Sequence, residues 1–109
     1  MGKVNIDNYL ENKLFDLVFT LYKKEYFGFI ENSFEYVDKI LDFIQSIPFQ
    51  KQKLTYNKKF GTYYTSYKAN NNTTWYLIFD KHEGNYFVNE ITNNHCADYA
   101  FVISTIKNI

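Results

Sequence analysis

A short apolar run near the middle of the chain, Thr74–Phe79 (TWYLIF), limits the architectures that this sequence can adopt. Polar turn residues bound it on both sides, at 69–73 and 80–85. A run this short, made of aromatic and branched residues, predicts a buried strand rather than a helix. Because side chains alternate along a strand, its two faces should be formed by Trp75, Leu77 and Phe79, and by Tyr76 and Ile78. Both faces are apolar, so we predict a central strand covered at least in part on both sides.

Two helices are predicted before this strand. Apolar residues recur at helical spacing over residues 9–26 and 32–47. Asn8 and Glu11 have capping-box spacing at the start of the first helix. Pro48 should end the second, because its ring prevents the preceding residue from continuing a helix. A short link containing Gly28 joins the two, which predicts an antiparallel helical hairpin.

After the hairpin the periodicity of the sequence becomes that of strands. Turn signals separate the candidate strands, which indicates consecutive hairpins and an antiparallel meander. The predicted strands are residues 52–56, 60–68, 74–80 and 86–92, followed by a short helix carrying Tyr99, Val102, Ile103 and Ile106. Residues 3–7 fit either a short edge strand or a frayed terminus. The predicted fold is therefore α+β over residues 1–109 as a single domain: an N-terminal helical hairpin packed on a small antiparallel meander sheet, with a short C-terminal helix.

The charges are balanced overall but unevenly distributed. The chain contains twelve lysines, twelve acidic residues and no arginine. Residues 51–68 contain five lysines and no acid, whereas the segments on either side are net acidic. Cys96 is the only cysteine, which excludes an internal disulfide and indicates a reducing, cytoplasmic location. The sequence shows neither a signal peptide nor an apolar run that could span a membrane, so we predict no membrane partner.

The order of elements resembles that of the RelE/ParE superfamily of bacterial toxins. Four stretches carry the resemblance: Phe43–Pro48 at the end of the second helix, the basic aromatic Lys59–Tyr64, the apolar Trp75–Phe79, and Asn89–His95 with its late histidine. The resemblance covers most of the chain and rests on order and spacing, without a signature motif. It implies a toxin-like component of a type II toxin–antitoxin pair, with a cognate antitoxin as partner.

The resemblance also implies one of two activities. Ribosome-dependent members of the superfamily cleave messenger RNA with basic residues and a Tyr or His, whereas gyrase-poisoning members lack that set. The expected target is therefore mRNA on the ribosome or another protein. This chain has no arginine and zero net charge, where RNA-cleaving members are usually strongly basic. The alternative to a metal-independent endoribonuclease is thus a non-enzymatic inhibitor or interaction module with the same fold.

Metal-free RNA cleavage needs a proton donor and acceptor, together with cations at the phosphate. His95 can transfer a proton because its unperturbed pKa lies near neutrality, and Tyr64 could stack on or orient a base. The structural alternative for His95 is a cap on the last helix or a bond to a loop carbonyl. His82, His95, Cys96 and Asp98 match no zinc-binding spacing, so we predict no metal and no cofactor.

Tyrosines are interleaved with the lysines of the basic segment. Lys58, Lys59, Tyr63 and Lys68 are the candidate nucleic-acid-binding residues, with lysines at phosphates and ring faces on bases. The structural alternative is a solvated strand edge on which lysines prevent aggregation.

Overall fold

A computed structural model of the chain describes residues 3–23 and 30–107. Over these residues the protein is α+β, with one five-stranded sheet and three α-helices. The elements in chain order are β1 (Val4–Ile6), α1 (Asn8–Lys23), α2 (Ile30–Gln45), a 3-10 helix (Ile47–Phe49), β2 (Lys53–Leu54), β3 (Tyr63–Asn70), β4 (Thr73–His82), β5 (Asn85–Asn93) and α3 (Tyr99–Ile106).

The sheet is mixed, with the strand order β1-β5-β4-β3-β2. Strands β2 to β5 form the predicted antiparallel meander. The prediction of a wholly antiparallel sheet is wrong at one edge, because β1 runs parallel to β5, from Val4 opposite Tyr86 to Ile6 opposite Val88. No tight turn connects β1 to its neighbour, so hairpin geometry does not impose an antiparallel direction on it. Of the two alternatives for residues 3–7, the structure therefore has the edge strand.

Strand β4 is central, and its two faces are covered by different helices. Trp75, Leu77 and Phe79 are fully buried in one core with residues of α1 and α2, so we call this side the α1–α2 face. Ile78 is fully buried on the opposite side, the α3 face, where it packs with Tyr64 of β3. The alternation expected from the sequence is thus confirmed. The helical residues of the first core are Leu10 and Leu14 of α1 and Val37, Ile40 and Ile44 of α2.

The ends of the helices differ from the expectation by about one turn or less. Asp7, rather than Asn8, caps α1: its Oδ1 accepts a 2.9 Å hydrogen bond from the backbone N–H of Leu10. Helix α2 ends at Gln45, before Pro48, and the chain tightens into the 3-10 helix. Proline fits this helix because its missing N–H is not needed in the first turn.

The connection of the predicted helical hairpin, including Gly28, lies outside the described residues, as does the end predicted for the first helix at residue 26. The two β-turns are shorter than expected. Asn71 and Asn72 alone separate β3 from β4. Glu83 and Gly84 connect β4 to β5 with positive φ angles of 51° and 81°, the backbone that two-residue hairpins favour.

Candidate nucleic-acid interface

The α3 face of the sheet is only partly covered. Helix α3 packs Val102, Ile103 and Ile106 against Tyr64 and Ile78. Further along β3, Ser66 and Lys68 are on the same face as Tyr64 because they are separated from it by even numbers of residues, and both are exposed. The neighbouring Tyr76 of β4, paired with Ser66, is half-buried. An open strip of sheet therefore runs beside the terminal helix.

A cleft of about 140 Å³ opens at the β2 edge of this strip. Its basic residues are Lys51 and Lys53, and the rest of its lining is formed by Gln50, Tyr64, Thr65 and Ser66. Lys53 is directly opposite Tyr64 in the β2–β3 ladder, so the register places these two side chains next to each other on the α3 face. Within the part of the chain that the structure describes, no acidic residue lines the cleft. Its chemistry is that of a site for an anion.

Two acidic side chains on the α3 face are held by a lysine from α1. The Nζ of Lys13 lies 2.6 Å from Oε1 of Glu90 and 2.8 Å from Oδ2 of Asp98. Burial lowers the pKa of Lys13, but the hydrogen bonds to Asp98 and Glu90 outweigh it, and the pKa is raised. Burial likewise raises the pKa of Asp98, but the hydrogen bonds from Lys13 and Thr92 outweigh that effect, and the net shift is downward. One ammonium group therefore holds both carboxylates within the fold and balances one of their two negative charges.

Lys107, which follows α3, adds a further cation beside the open strip. Its Nζ lies 5.9 Å from the centre of the Tyr76 ring. The Tyr76 ring is itself tilted against that of Tyr99, with centroids 6.0 Å apart. Lysines thus lie on two sides of the exposed part of the sheet, with aromatic rings between them.

The structure separates the candidate nucleic-acid-binding residues into three places. Lys68 lies on the α3 face, four residues along β3 from Tyr64, or about 13 Å at the rise of a strand. Tyr63 lies on the opposite face, stacked on Phe79 with centroids 5.8 Å apart. The Nζ of Lys81 is 4.5 Å above the Tyr63 ring, so this tyrosine already has a cation partner within the fold.

Lys58 and Lys59 are exposed in the loop between β2 and β3. The backbone N–H of Tyr56 donates to Ile106 O at 3.0 Å, which ties this loop to the end of α3. Lys59 Nζ lies 5.7 Å from the ring centre of Phe101, whose side chain is 55% exposed. The loop lysines therefore border a second surface, on the outer side of α3.

The two candidate catalytic residues are far apart. His95 Nε2 is 3.0 Å from Oγ1 of Thr73, and that hydroxyl also bonds Tyr36 of α2, on the α1–α2 face. Tyr64 is on the α3 face, opposite Ile78. Thr73 and Ile78 are five residues apart along β4, or about 17 Å. One phosphodiester could not contact both side chains in this arrangement.

The Cys96 thiol and the possible metal ligands are the other groups with reactive side chains. Burial raises the pKa of the Cys96 thiol, and the backbone N–H of Asn93 donates to its Sγ at 3.3 Å. The raised pKa keeps this thiol protonated, which disfavours nucleophilic attack. Within residues 3–23 and 30–107, no group of three or more His, Cys, Asp or Glu side chains could hold a metal ion. No helix in this part of the chain is long and apolar enough to cross a membrane.

Sequence reasoning did not single out Lys51, Lys53 or Ser66. The charge of segment 51–68 was the available signal for the two lysines. Assigning them to one cleft requires the β2–β3 register, which places Lys53 beside Tyr64. Phe101 belongs to a mostly apolar helix, and the spacing of apolar residues there does not distinguish an exposed aromatic residue from one in the core.

Comparison with known proteins identifies no relative of this chain: no protein-family model, no curated protein and no solved structure matches it.

Proposed function

We propose that this protein is a toxin-like component of a bacterial toxin–antitoxin pair that acts by binding single-stranded RNA. The observation that carries the proposal is the cleft at the β2 edge, where Lys51 and Lys53 lie beside Tyr64 and Ser66 and no described acidic residue contributes to the lining. Lysines there would neutralise backbone phosphates, while the open strip would admit bases. The RelE/ParE-like arrangement, with a helical hairpin before the sheet, is part of this proposal.

Binding is favoured over cleavage by the positions of the two candidate catalytic groups. A proton donor and acceptor must both be within hydrogen-bonding reach of the reacting phosphodiester. Tyr64 is on one face of the sheet and His95 contacts a residue of the other. Inhibition by occupancy of an RNA site requires no such pair, so it fits the geometry better than a ribonuclease mechanism.

A protein target is the second candidate, and exposed aromatic residues favour it. Tyr56 is 63% exposed and Phe101 is 55% exposed, at the loop and helix that together form the outer side of α3. Phe60 packs edge-on against Phe101, with centroids 5.8 Å apart. Exposed aromatic clusters are typical of protein interfaces, so an antitoxin or a protein target could bind here.

The RNA proposal is tested by measuring the binding of a short fluorescent oligouridine over a range of salt concentrations. We expect Lys53→Ala to weaken binding and to reduce the slope of log affinity against log salt by about 0.7, since each phosphate contact on a single strand releases counterion. Lys39→Ala is the matched control, because Lys39 is exposed on α2 and is not one of the residues that line the cleft. Equal salt slopes for the wild type and both variants would exclude this cleft as the RNA site.

A further inference from the structure

The outer edge of β3 is paired along only part of its length. Strand β3 spans Tyr63–Asn70, but β2 pairs with Tyr63 and Tyr64 alone. From residue 65 onwards no strand formed by residues 3–23 or 30–107 lies on that side, since Lys51 and its neighbours diverge from β3 and leave the cleft described above. The sheet therefore ends in a short open edge that begins at the cleft.

Hydrogen-bonding geometry shows which backbone groups this edge presents. The N–H of Thr55 donates to Thr62 O at 2.9 Å, in register with the pair Lys53 and Tyr64 two residues further on. In an antiparallel ladder, alternate residues direct both N–H and C=O to the same neighbour. Ser66 and Lys68 continue this alternation and so point their backbone groups away from β4. Among the described residues, nothing forms a backbone hydrogen bond with them on that side.

The side chains beside the open edge differ on the two faces of the sheet. Lys53, Ser66 and Lys68 lie on the α3 face. Between them on the other face is Tyr67, which is half-buried and stacked on Phe43 of α2 with centroids 4.8 Å apart. A strand added here would direct alternate side chains towards lysines and towards an aromatic surface.

We propose that an extended segment of a partner protein, with alternating acidic and apolar side chains, adds to the sheet along residues 65–69 of β3. Backbone hydrogen bonds to Ser66 and Lys68 would align the segment, and the side-chain alternation would select it. The charges disfavour a second copy of this chain as the occupant. Pairing two such edges would bring Lys68 of one copy close to Lys53 and Lys68 of the other, and like charges across a strand pair are destabilising.

The edge site shares Ser66 and its lysines with the cleft. A bound segment would therefore exclude nucleic acid from the cleft, and this competition, unlike the edge site itself, rests on the proposed function. The partner would then act as an inhibitor of RNA binding by occupying the same cations.

The test uses the full chain labelled with ¹⁵N and a short peptide of alternating Glu and Val. A second peptide has the same composition but places all Glu residues before all Val residues, which keeps its charge and removes the alternation. We expect the alternating peptide to bind at least about tenfold more tightly, and to slow hydrogen exchange at the Ser66 and Lys68 amides. Equal affinities for the two peptides, or no added protection at these amides, would overturn the proposal.

Two variants separate backbone pairing from general charge attraction. Lys68→Glu should weaken binding of the alternating peptide about five- to tenfold, whereas Lys39→Glu makes the same charge change on α2 and should leave it unchanged. If the free protein forms dimers in which the same amides are protected, the occupant is a second copy and the proposal is wrong.

Oligouridine binding, measured without and with the peptide, tests the edge site on β3 separately from the proposed RNA binding in the cleft. Displacement of oligouridine by the peptide supports the competition. Amide protection without any displacement would leave the edge site standing and place the RNA surface elsewhere. Oligouridine binding with no peptide binding would leave the RNA function standing and overturn the edge site.

Discussion

Lys13 joins three separate parts of the chain through a single ammonium group. It extends from α1 to Glu90 of β5 and to Asp98, which precedes α3. Strand β1 ends opposite Val88, and none of the described strands pairs with β5 beyond that point on this side. Because α1 packs on the α1–α2 face and Glu90 lies opposite Ile78 on the α3 face, Lys13 connects the two faces of the sheet.

Replacing Lys13 with Met should destabilise the protein. Glu90 is 7% exposed and would lose its cation, so we expect a loss of about 2–4 kcal/mol in the free energy of unfolding, measured with urea at neutral pH. Lys39→Met provides the control and should change stability by less than about 0.5 kcal/mol, because Lys39 is exposed. A loss that small for Lys13→Met would show that the ion pairs contribute little.

The stabilisation by Lys13 should decrease as the pH is lowered. The folded pKa of Asp98 lies below its ordinary value of 3.8, so its contribution is present above that value and disappears as the pH falls through the folded pKa. The stability difference between wild type and Lys13→Met should therefore narrow in acid below about pH 4. A difference that widened there would contradict the assignment.

Helix α2 and strand β4 are linked by a polar contact inside an otherwise apolar layer. The indole N–H of Trp75 donates a 2.7 Å hydrogen bond to the hydroxyl group of Tyr36. Trp75 is fully buried, so water could not replace this acceptor without rearrangement. The contact fixes the position of α2 along the central strand.

Tyr36→Phe should therefore cost about 1–3 kcal/mol, because it leaves a buried indole N–H without its acceptor. The matched change Tyr56→Phe removes a hydroxyl group from an exposed ring and should have little effect. Thermal unfolding of the two variants provides the comparison, and equal melting temperatures would indicate that the indole finds another acceptor.

These elements also show how far the sequence could predict the fold. The two faces of Thr74–Phe79 could be predicted from the sequence alone, because side chains alternate between the faces of a strand and the apolar residues occupy both. The parallel pairing of β1 did not follow, since three residues carry no pattern that specifies a direction. The N-cap was displaced by one residue because Asp7 and Asn8 are both good caps, and only the backbone distinguishes them.

The candidate site was less predictable than the fold. The charge of segment 51–68 indicated a basic surface, but its lysines project to different places once the strand alternation and the loop tied to α3 are known. Tyr63 and Tyr64 are adjacent in sequence and lie on opposite faces. The hypothesis that Tyr64 and His95 act together required them to be close in space, and their spacing in the sequence could not test this.

At the scale of the whole molecule, inhibition by occupancy of an RNA site and inhibition by RNA cleavage predict different behaviour in cells. Induced expression of the wild type should inhibit growth, and the double variant Lys51→Ala/Lys53→Ala should relieve that inhibition by removing both cleft lysines. His95→Ala should retain the inhibition if the protein acts by occupancy. Growth curves with mapping of messenger RNA ends provide the measurement.

A different result would restore the ribonuclease hypothesis. If His95→Ala lowered message cleavage by about a hundredfold or more and abolished growth inhibition, His95 would be acting as an acid or base. Comparable amounts of each protein in the soluble fraction are the necessary control, since an unfolded variant would also be harmless.

The pairing of β1 with β5 has a consequence for how the chain is made. Val4 and Tyr86 are neighbours in the sheet, although most of the sequence separates them. During translation, α1 and α2 emerge long before the strands that cover Leu10, Leu14 and Ile44. Until those strands have been made, the apolar side chains of α1 and α2 lack the sheet that covers them, and apolar surface exposed in this way favours aggregation. On the ribosome, the sheet can be completed only after its fifth strand has left the exit tunnel.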